Sequence, residues 1–290
     1  MKIKNLFLAG VLVLTACGSS KISNDDILNR SEPVDGVAIL ETMDNDIYFV
    51  DENNVPVCPQ SFRKLGEFNE EGYAVATSVE NGNSLQNIVN RKGEILTANI
   101  SNMSDFHFIP GGRVWVSDGS GASLKDLTTG TDLYNCGYVL TSVSPKGTAV
   151  FENECSRHPE GDDYARLVEF QVVDRDGNIV VPFGEIGYIG DISGGMAPAS
   201  NQVQGGYKGD SGKLSRFSRD RAVGFVPRYG YIDEAGKWVI PEQYTSAGKF
   251  DKNGFAVVST TVSRGAFNDN TIYIDRSGRK LSDQEVEALR

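Results

Sequence analysis

Short apolar segments that end in Asp or Asn, followed by polar residues and then Gly or Asn, recur along the chain. In the clearest example, Tyr231-Ile232-Asp233 is followed by Gly236 and a second apolar segment. The side chains of Asp and Asn accept hydrogen bonds from the turn that follows them, and Gly adopts the left-handed conformation that tight turns need. The pattern predicts six β-hairpins, whose turns begin at Asp51, Asn90, Asp126, Asp174, Asp233 and Asp275.

A second pattern, a Gly followed directly by a short apolar strand, alternates with the hairpins. Each hairpin Asp or Asn precedes the next of these glycines by 21 residues, except at Asn90, where the distance is 22. Such a constant spacing is the signature of a repeat architecture. We therefore predict an all-β domain of six repeated units. The glycines are Gly36, Gly72, Gly112, Gly147, Gly195 and Gly254.

The first and last units of this repeat are each incomplete. The hairpin at Asp275 would need its Gly strand at position 296, whereas the sequence stops at Arg290. The strand at residues 36–40 has no hairpin before it. Because circular β architectures leave no sheet edge exposed, this N-terminal strand is predicted to close the last unit. After the hairpin at Asp275, Ser282 and Glu285 have capping-box spacing, which predicts a short C-terminal helix.

The most regular copy, Gly230-Tyr231-Ile232-Asp233-Glu234-Ala235-Gly236-Lys237-Trp238-Val239-Ile240-Pro241, resembles the WG (tryptophan–glycine) repeat. Tyr229 occupies the position of the family's Trp, and the other copies keep the hairpin and the Gly strand but not that dipeptide. The resemblance extends over about residues 34–282. It implies a β-rich, propeller-like repeat domain used for interaction, which we place at residues 34–290.

The N-terminal segment has the features of an export signal. Lys2 and Lys4 precede an apolar run at residues 6–14, which is too short to span a bilayer stably. The sequence Leu14-Thr15-Ala16-Cys17 resembles the lipobox of bacterial lipoproteins, whose cysteine is acylated after cleavage. An ordinary secretory peptide with a chance cysteine is the alternative. The resemblance implies a signal peptide at residues 1–16 and a lipid-anchored protein of the bacterial cell envelope.

Residues 17–33 are mostly polar and predict a flexible tether between the lipid and the globular part. The residue after the lipobox cysteine is Gly18 rather than Asp, which by the same resemblance indicates sorting to the outer membrane. The whole chain carries 28 basic and 39 acidic residues, a net charge of −11. This charge argues against nucleic-acid binding, which requires a basic surface.

The remaining cysteines are interpreted through the compartment that the export signal predicts. In an oxidising compartment Cys136 and Cys155 are predicted to form a disulfide, since they lie close in sequence. Cys58 is then unpaired and buried. No two of the three have the spacing of metal ligands, so neither a metal nor another cofactor is expected.

Several motifs look catalytic but lack their partners. Gly209-Asp210-Ser211-Gly212 is similar to the nucleophile region of trypsin-like proteases, yet His107 and His158 are the only histidines and neither has the expected context. The segment at residues 174–178 has part of a calcium-loop pattern, but it aligns with the other hairpin turns. Trp115 and Trp238 fall on repeat strands, where packing is the expected role.

The connections from each Gly strand to the next hairpin vary in length, in contrast to the constant spacing. The two longest follow Gly147 and Gly195, with 27 and 38 residues to the next hairpin Asp, and are predicted to lie side by side. Residues 200–228 hold six basic and two acidic residues, whereas the first insertion is acidic. The two either neutralise one another or form a ligand site. The candidate binding residues are His158, Asp162, Asp163, Tyr207, Lys213, Arg216 and Arg219.

These features favour a lipid-anchored, non-enzymatic binding or scaffolding protein of the cell envelope, with an unidentified protein or glycan partner. The alternative is an envelope hydrolase or lyase with a carboxylate-based site on the ring. That reaction would require two acidic side chains about 5–10 Å apart.

Overall fold

The fold was analysed in a computed structural model of the chain. It describes residues 20–101, 103–155, 167–203, 206–208, 214–216, 228–260 and 271–290. The chain forms two compact units, residues 1–102 and 103–290. In the described part of the chain, no helix has the length and hydrophobicity needed to cross a bilayer.

The first unit contains a single turn of 3₁₀-helix at Asn24–Asp26 and seven strands. The strands are β1 (Ile27–Arg30), β2 (Ala38–Thr42), β3 (Ile47–Val50), β4 (Lys64–Leu65), β5 (Tyr73–Glu80), β6 (Asn83–Asn90) and β7 (Ile95–Ser101).

In the second unit, the described residues form strands almost throughout and end in one helix. The elements are β8 (Asp105–Ile109), β9 (Arg113–Ser117), β10 (Ala122–Asp126), β11 (Thr131–Cys136), β12 (Val139–Val143), β13 (Ala149–Cys155), β14 (Leu167–Val173), β15 (Ile179–Val181), β16 (Tyr188–Ile189), β17 (Met196–Ser200), β18 (Gln202–Val203), β19 (Gly206–Lys208), β20 (Leu214–Arg216), β21 (Tyr229–Asp233), β22 (Trp238–Tyr244), β23 (Ser246–Ala247), β24 (Phe255–Ser259), β25 (Thr271–Asp275) and α1 (Asp283–Leu289).

The strands form a series of small antiparallel sheets with simple up-and-down order. Sheets 1 to 6 are β1-β2-β3, β4-β5-β6-β7, β8-β9-β10-β11, β12-β13-β14-β15, β16-β17-β21-β22 and β23-β24-β25. A further three-stranded sheet, β18-β19-β20, is inserted between β17 and β21. The predicted all-β class and six repeated units are confirmed. Sheets of three or four antiparallel strands are also the units from which propeller-type repeats are built.

Within each unit, the hydrophobic core lies in layers between consecutive sheets. Successive residues of a strand point to opposite faces of its sheet, and side chains are buried on both faces. In the first unit, Phe49 of sheet 1 packs with Ala74 and Val89 of sheet 2. The second unit repeats this arrangement in three layers, one between each pair of neighbouring sheets from 3 to 6. Trp115 is completely buried and donates its indole N–H to the carbonyl of Gly147 at 2.8 Å, which joins sheet 3 to sheet 4. Trp238 packs against the layer between sheets 4 and 5, so both tryptophans have the predicted packing role.

Each predicted hairpin turn is closed by hydrogen bonds from the backbone to the Asp or Asn side chain. Oδ1 of Asp174 accepts from the N–H groups of Asp176 and Asn178 at 2.9 and 2.8 Å. Equivalent bonds occur at Asp51, Asn90, Asp233 and Asp275. At Asp126 the donors are instead the N–H groups of the residues two and three positions later, Thr128 and Thr129. The calcium-loop pattern at residues 174–178 is therefore a turn of this same kind.

The Gly strands are preceded by a second side-chain-closed turn that sequence analysis did not identify. Asn69, Ser144 and Asp251 each stand three residues before the Gly, and each accepts the N–H of the residue that follows that Gly. A polar residue at this fixed offset could have been found from the sequence. It closes the turn that starts the strand, just as the hairpin Asp closes the turn that ends its neighbour.

The sequence repeat and the sheets are out of phase. In sheet 2 the residue after Gly72, Tyr73, lies opposite Asn90, the hairpin residue that follows it in the chain. The same pairing joins Met196 to Asp233 and Phe255 to Asp275. Each Gly strand therefore pairs with the hairpin after it. The constant spacing of about 21 residues spans the connection between sheets, and the variable segments lie inside a sheet between two of its adjacent strands.

The prediction that the N-terminal strand closes the last unit is wrong. Strand β2 is hydrogen-bonded on one side to β1 and on the other to β3, so neither of its edges is available for sheet 6. The reason is the phase of the repeat: residues 36–40 already have a partner in the hairpin at Asp51. Pairing within one short segment costs less chain entropy than pairing across the whole chain.

Part of the predicted tether is also ordered. Residues 17–19 lie outside the described residues, but β1, within the predicted range 17–33, forms an edge strand of sheet 1. Ile22 and Ile27 pack against the buried side chains of Leu40 and Val50. The polar composition of this segment obscured two apolar residues, whose burial covers the outer face of the sheet.

The C-terminal helix is confirmed together with its capping box. The Ser282 hydroxyl accepts the N–H of Glu285, and the Glu285 carboxylate accepts the N–H of Ser282. Val286, only 3% exposed, packs with Phe255 and Leu281 on the outer face of sheet 6. The helix therefore covers apolar surface that would otherwise face water.

Replacement of Val286 by Ala should lower the free energy of unfolding by about 1–2 kcal/mol, because two buried methyl groups are lost. Urea denaturation followed by circular dichroism measures this change. Glu287→Ala, at a neighbouring exposed position of the same helix, is the matched control and should leave stability within about 0.5 kcal/mol of wild type. Equal stability of all three proteins would show that the helix does not cap the sheet.

Candidate functional site

The long insertions of the second unit leave the sheets at one end. They join adjacent strands of sheets 4, 5 and 6, namely β13 to β14, β17 to β21 and β24 to β25. The hairpin and Gly turns occupy the opposite end, which we call the turn end. Turn ends of sheets 3 and 4 contact each other, since Arg175 of sheet 4 donates to the Pro110 carbonyl of sheet 3. We call the other end of each sheet the insertion end.

Two of the seven candidate residues of the insertions, Tyr207 and Arg216, lie in the described part of the chain. His158, Asp162, Asp163, Lys213 and Arg219, like Cys17, lie outside the described residues. The backbone places Tyr207 on β19 opposite Ser215, and Arg216 on β20 opposite Gly206.

The second insertion lies close to the strand that follows the first one. Its strand β18 is a neighbour of β14. This proximity is what the predicted side-by-side arrangement of the two insertions requires.

Beneath the insertions, three aromatic side chains from sheets 4 and 5 form a continuous cluster. The rings of Phe170 and Tyr188 lie 5.5 Å apart, and those of Tyr188 and Tyr229 lie 5.6 Å apart, all in edge-to-face geometry. Such pairs are favourable beyond the area that they bury. Phe170 is buried, while both tyrosines are half-buried. Tyr188 and Tyr229 stand 41 residues apart, a distance at which no local sequence pattern connects them, so sequence analysis missed this pair.

Burial holds both phenols in their neutral form. Desolvation raises the pKa of Tyr229 above its ordinary value. It also raises the pKa of Tyr188, with smaller contributions from Tyr229, Asp191 and Glu152. Neither phenol makes a hydrogen bond to another described residue. The cluster therefore presents aromatic edges and neutral hydroxyl groups rather than a reactive phenolate.

Glu242 fixes the chain where the second insertion begins. Its carboxylate accepts the backbone N–H of Asn201 at 2.7 Å and the side-chain amide of Asn201 at 2.8 Å, with the Ser200 hydroxyl at 3.4 Å. Because hydrogen bonds to a charged acceptor are stronger than neutral ones, this contact determines where the insertion leaves β17. It links β22, the edge strand of sheet 5, to the base of the insertion.

The cysteines differ in part from the prediction. Cys58 is a free, buried thiol, as expected, and desolvation raises its pKa against the opposing effect of a backbone hydrogen bond from Gln60. Cys136 is also free, so the predicted disulfide with Cys155 is not formed in this structure. Half-buried on β11, Cys136 instead packs against the layer around Trp115. The side chain of Cys155 lies outside the described residues.

Within the described ranges, no three His, Cys, Asp or Glu side chains converge to hold a metal ion. His107 lies in β8 opposite Trp115, and residues 209–212, the segment similar to a protease nucleophile region, lie outside the described residues. The carboxylates of Asp126 and Asp275 accept hydrogen bonds within their own turns. These bonds lower the pKa of both carboxyl groups, and the largest contributions come from the hydroxyls of Thr128 and Ser277. These acids act as turn-closing groups.

Comparison with known families supports the repeat. Residues 172–201 and 229–260 match the family model described as "WG containing repeat". The first segment runs from β14 to β17 and the second from β21 to β24, so each begins in one sheet and ends in the next. The chain therefore contains WG repeats, including the copy that sequence analysis found most regular. No curated protein matches the chain.

Solved structures of low sequence identity resemble the chain. Hsv2p of Kluyveromyces lactis shares 12% identity over 90% of this chain and 76% of that one, with a TM-score of 0.38. The Pan2 WD40 domain of Neurospora crassa shares 11% over 80% and 71%, with a TM-score of 0.31. A eukaryotic initiation factor shares 11% over 90% and 88%, with a TM-score of 0.26. At these TM-scores the likenesses carry no functional argument.

Loss of the Glu242 carboxylate should release the base of the second insertion. Glu242→Ala removes both acceptors of Asn201, so trypsin should cleave at Lys208, Lys213, Arg216 or Arg219 several-fold faster than in wild type. Limited proteolysis with mass spectrometry of the fragments measures the rate. The control variant Glu234→Ala, changed at the turn end of the same sheet, should be cleaved by trypsin at the wild-type rate. Unchanged cleavage in Glu242→Ala would refute the anchoring role.

Proposed function

We propose that the protein is a lipid-anchored binding or scaffolding module of the bacterial cell envelope, without enzymatic activity, that contacts a protein or glycan through its insertion end. The observation that carries this proposal is that three insertions each join two adjacent strands of sheets 4, 5 and 6 at the end opposite the closed turns. Variable loops held by a regular frame are the common arrangement of binding proteins.

The regular frame supports the same proposal because its polar residues serve the fold. The repeated Asp and Asn side chains accept backbone N–H groups within their turns. Glu242 is likewise engaged in holding the insertion. The differences in length between the repeated units therefore fall in the insertions, which can lengthen without loss of a turn or a sheet.

The chemistry at the base of the insertions suits recognition of a polar partner. Tyr188 and Tyr229 combine apolar ring edges with neutral hydroxyl groups, a combination that favours sugar rings and peptide groups. In the sequence, residues 200–228 carry an excess of basic side chains in a protein of net charge −11. This contrast favours a partner that also carries negative charge.

Attachment to the membrane is proposed from the lipobox resemblance at Cys17. Each buried methylene of an acyl chain contributes about 0.8 kcal/mol, so two or more chains hold a protein stably on a bilayer. The anchor would present the repeat domain at the membrane surface, where a scaffold of the envelope must work.

Replacement of Cys17 by Ser should release the protein into the soluble fraction, because serine cannot receive the thioether-linked lipid. Membrane fractionation with immunoblotting measures the distribution. Cys58→Ser, which changes a buried cysteine, is the control and should remain with the membranes. Retention of the Cys17→Ser protein as firmly as wild type would disprove lipidation at this position.

A photo-crosslinking residue at position 228, where Arg228 is exposed at the insertion end, should form adducts with a partner in intact cells. The same residue at position 237, exposed at the turn end of the same sheet, should form none. Gel-shift analysis followed by mass spectrometry and glycan staining separates protein from glycan adducts. Equal adducts at both positions, or none at position 228, would contradict the proposed binding surface.

A further inference from the structure

The turn end of sheet 6, opposite the insertions, contains a recess with unusual chemistry for an acidic protein. Its volume is about 410 Å³, within the range of small-molecule sites. Two basic side chains, Lys252 and Arg276, line it, and both are exposed. The remaining lining residues are Asn253, Gly254, Asp275 and Ser277.

Arg276 differs in its contacts from the arginines at the same position of two other hairpin turns. Arg91, Arg175 and Arg276 each directly follow the Asx residue of their hairpin. Arg91 stacks on the ring of Phe68 at 4.8 Å, and Arg175 donates to the carbonyl of Pro110. Arg276 has neither a hydrogen bond nor an ion pair to any described residue. Its guanidinium is thus available to a ligand, whereas the same group in the other two turns is used by the fold.

Two glycines determine where Arg276 lies. A Cβ atom at Gly194 would stand 2.9 Å from Nη2 of Arg276, and one at Gly254 would stand 3.8 Å from its Nε. The guanidinium therefore lies across the turns of sheets 5 and 6. Gly195, the next residue, also has positive φ, but a Cβ there would meet no atom within 4 Å. Only the first of these adjacent glycines provides space for the arginine.

The acidic side chains near the recess are engaged in contacts of their own. Asp275 accepts hydrogen bonds from Ser277 and from the backbone N–H of Arg279, and it forms an ion pair with the Arg279 guanidinium at 3.0 Å, which also pairs with Glu285. Asp251 accepts two N–H groups of its own turn. Neither Lys252 nor Arg276 forms an ion pair with any described residue.

We propose that this recess binds a phosphate monoester group. The guanidinium offers a planar pair of N–H donors, the ammonium offers a point charge, and the Asn253 amide adds neutral donors. The three terminal oxygens of a phosphate monoester can engage all three groups, whereas a carboxylate has only two oxygens. The site lies at the end opposite to the insertions, so it is independent of the partner surface proposed above.

Isothermal titration calorimetry of the full chain in detergent, with inorganic phosphate at constant ionic strength, tests the site. Wild type should bind one phosphate saturably, and Arg276→Gln and Lys252→Gln should each weaken binding about tenfold or more, as expected for loss of a charge-assisted contact. Arg91→Gln, which removes the same charge at the equivalent turn of sheet 2, is the matched control and should bind like wild type.

A pair of glycine variants tests the geometry without any change of charge. Gly194→Ala should weaken phosphate binding by displacing Arg276, while Gly195→Ala, which places the same strain in the same turn, should not. Circular dichroism verifies that both variants are folded. Should Gly194→Ala fail to fold, the comparison of Arg276→Gln with Arg91→Gln still decides the matter.

The source of the phosphate group is distinguished by two further ligands, glucose 1-phosphate and the soluble short-chain lipid dihexanoyl phosphatidic acid. Preference for the first indicates a soluble phosphate ester, and preference for the second a lipid headgroup; both support the site if Arg276→Gln abolishes the preference. Absence of saturable phosphate binding, or equal weakening by Arg276→Gln and Arg91→Gln, overturns the proposal. None of these results bears on crosslinking at position 228.

Discussion

The hydrogen bond from the turn backbone to an Asp or Asn side chain is the interaction on which the rest of this structure depends. One oxygen accepts two N–H groups of its turn, as Asp233 does from Ala235 and Lys237 at 3.0 and 2.9 Å. This fixes the turn and, with it, which residues of the two strands face each other. A shift by one residue would turn every buried side chain toward water. Such turns join two strands in each of sheets 2 to 5, and in sheets 1 and 6 they follow the last strand.

The phase of the repeat explains how neighbouring sheets share a core within each compact unit. Each of the two matched WG segments begins in one sheet and ends in the next, so the covalent chain links these neighbours. Apolar layers then fill the space between sheets, with Trp115 completing one of them by its hydrogen bond to Gly147. No single sheet of three or four strands buries enough surface to be stable by itself, and stacking supplies the remainder.

The same phase separates stability from recognition. The constant segments contain the turns and the connections between sheets, whereas the variable segments join adjacent strands at the opposite end. Lengthening such a loop costs little free energy, since closure entropy grows only slowly with length. One end of the second unit can therefore accept long insertions above Tyr188 and Tyr229, while the other presents closed turns. Where a turn arginine is not needed by the fold, as at Arg276, that end also offers charge to a ligand.

The sequence by itself determined the features that depend on local contacts. The hairpin turns, the six-fold repeat and the capping box at Ser282 all involve hydrogen bonds between residues two to four apart, and their residue types are visible in the sequence. The buried position of Trp115 agrees with the packing role predicted from its place on a repeat strand.

Only the tertiary structure decided which Gly strand pairs with which hairpin, because both choices satisfy the same spacing. It also decided that β1 covers β2, that Cys136 packs as a free thiol, and that Tyr188 meets Tyr229. These outcomes depend on contacts between residues far apart in sequence, whose energies come from burial. Burial is a property of the assembled sheets, and no short segment of the chain carries it alone.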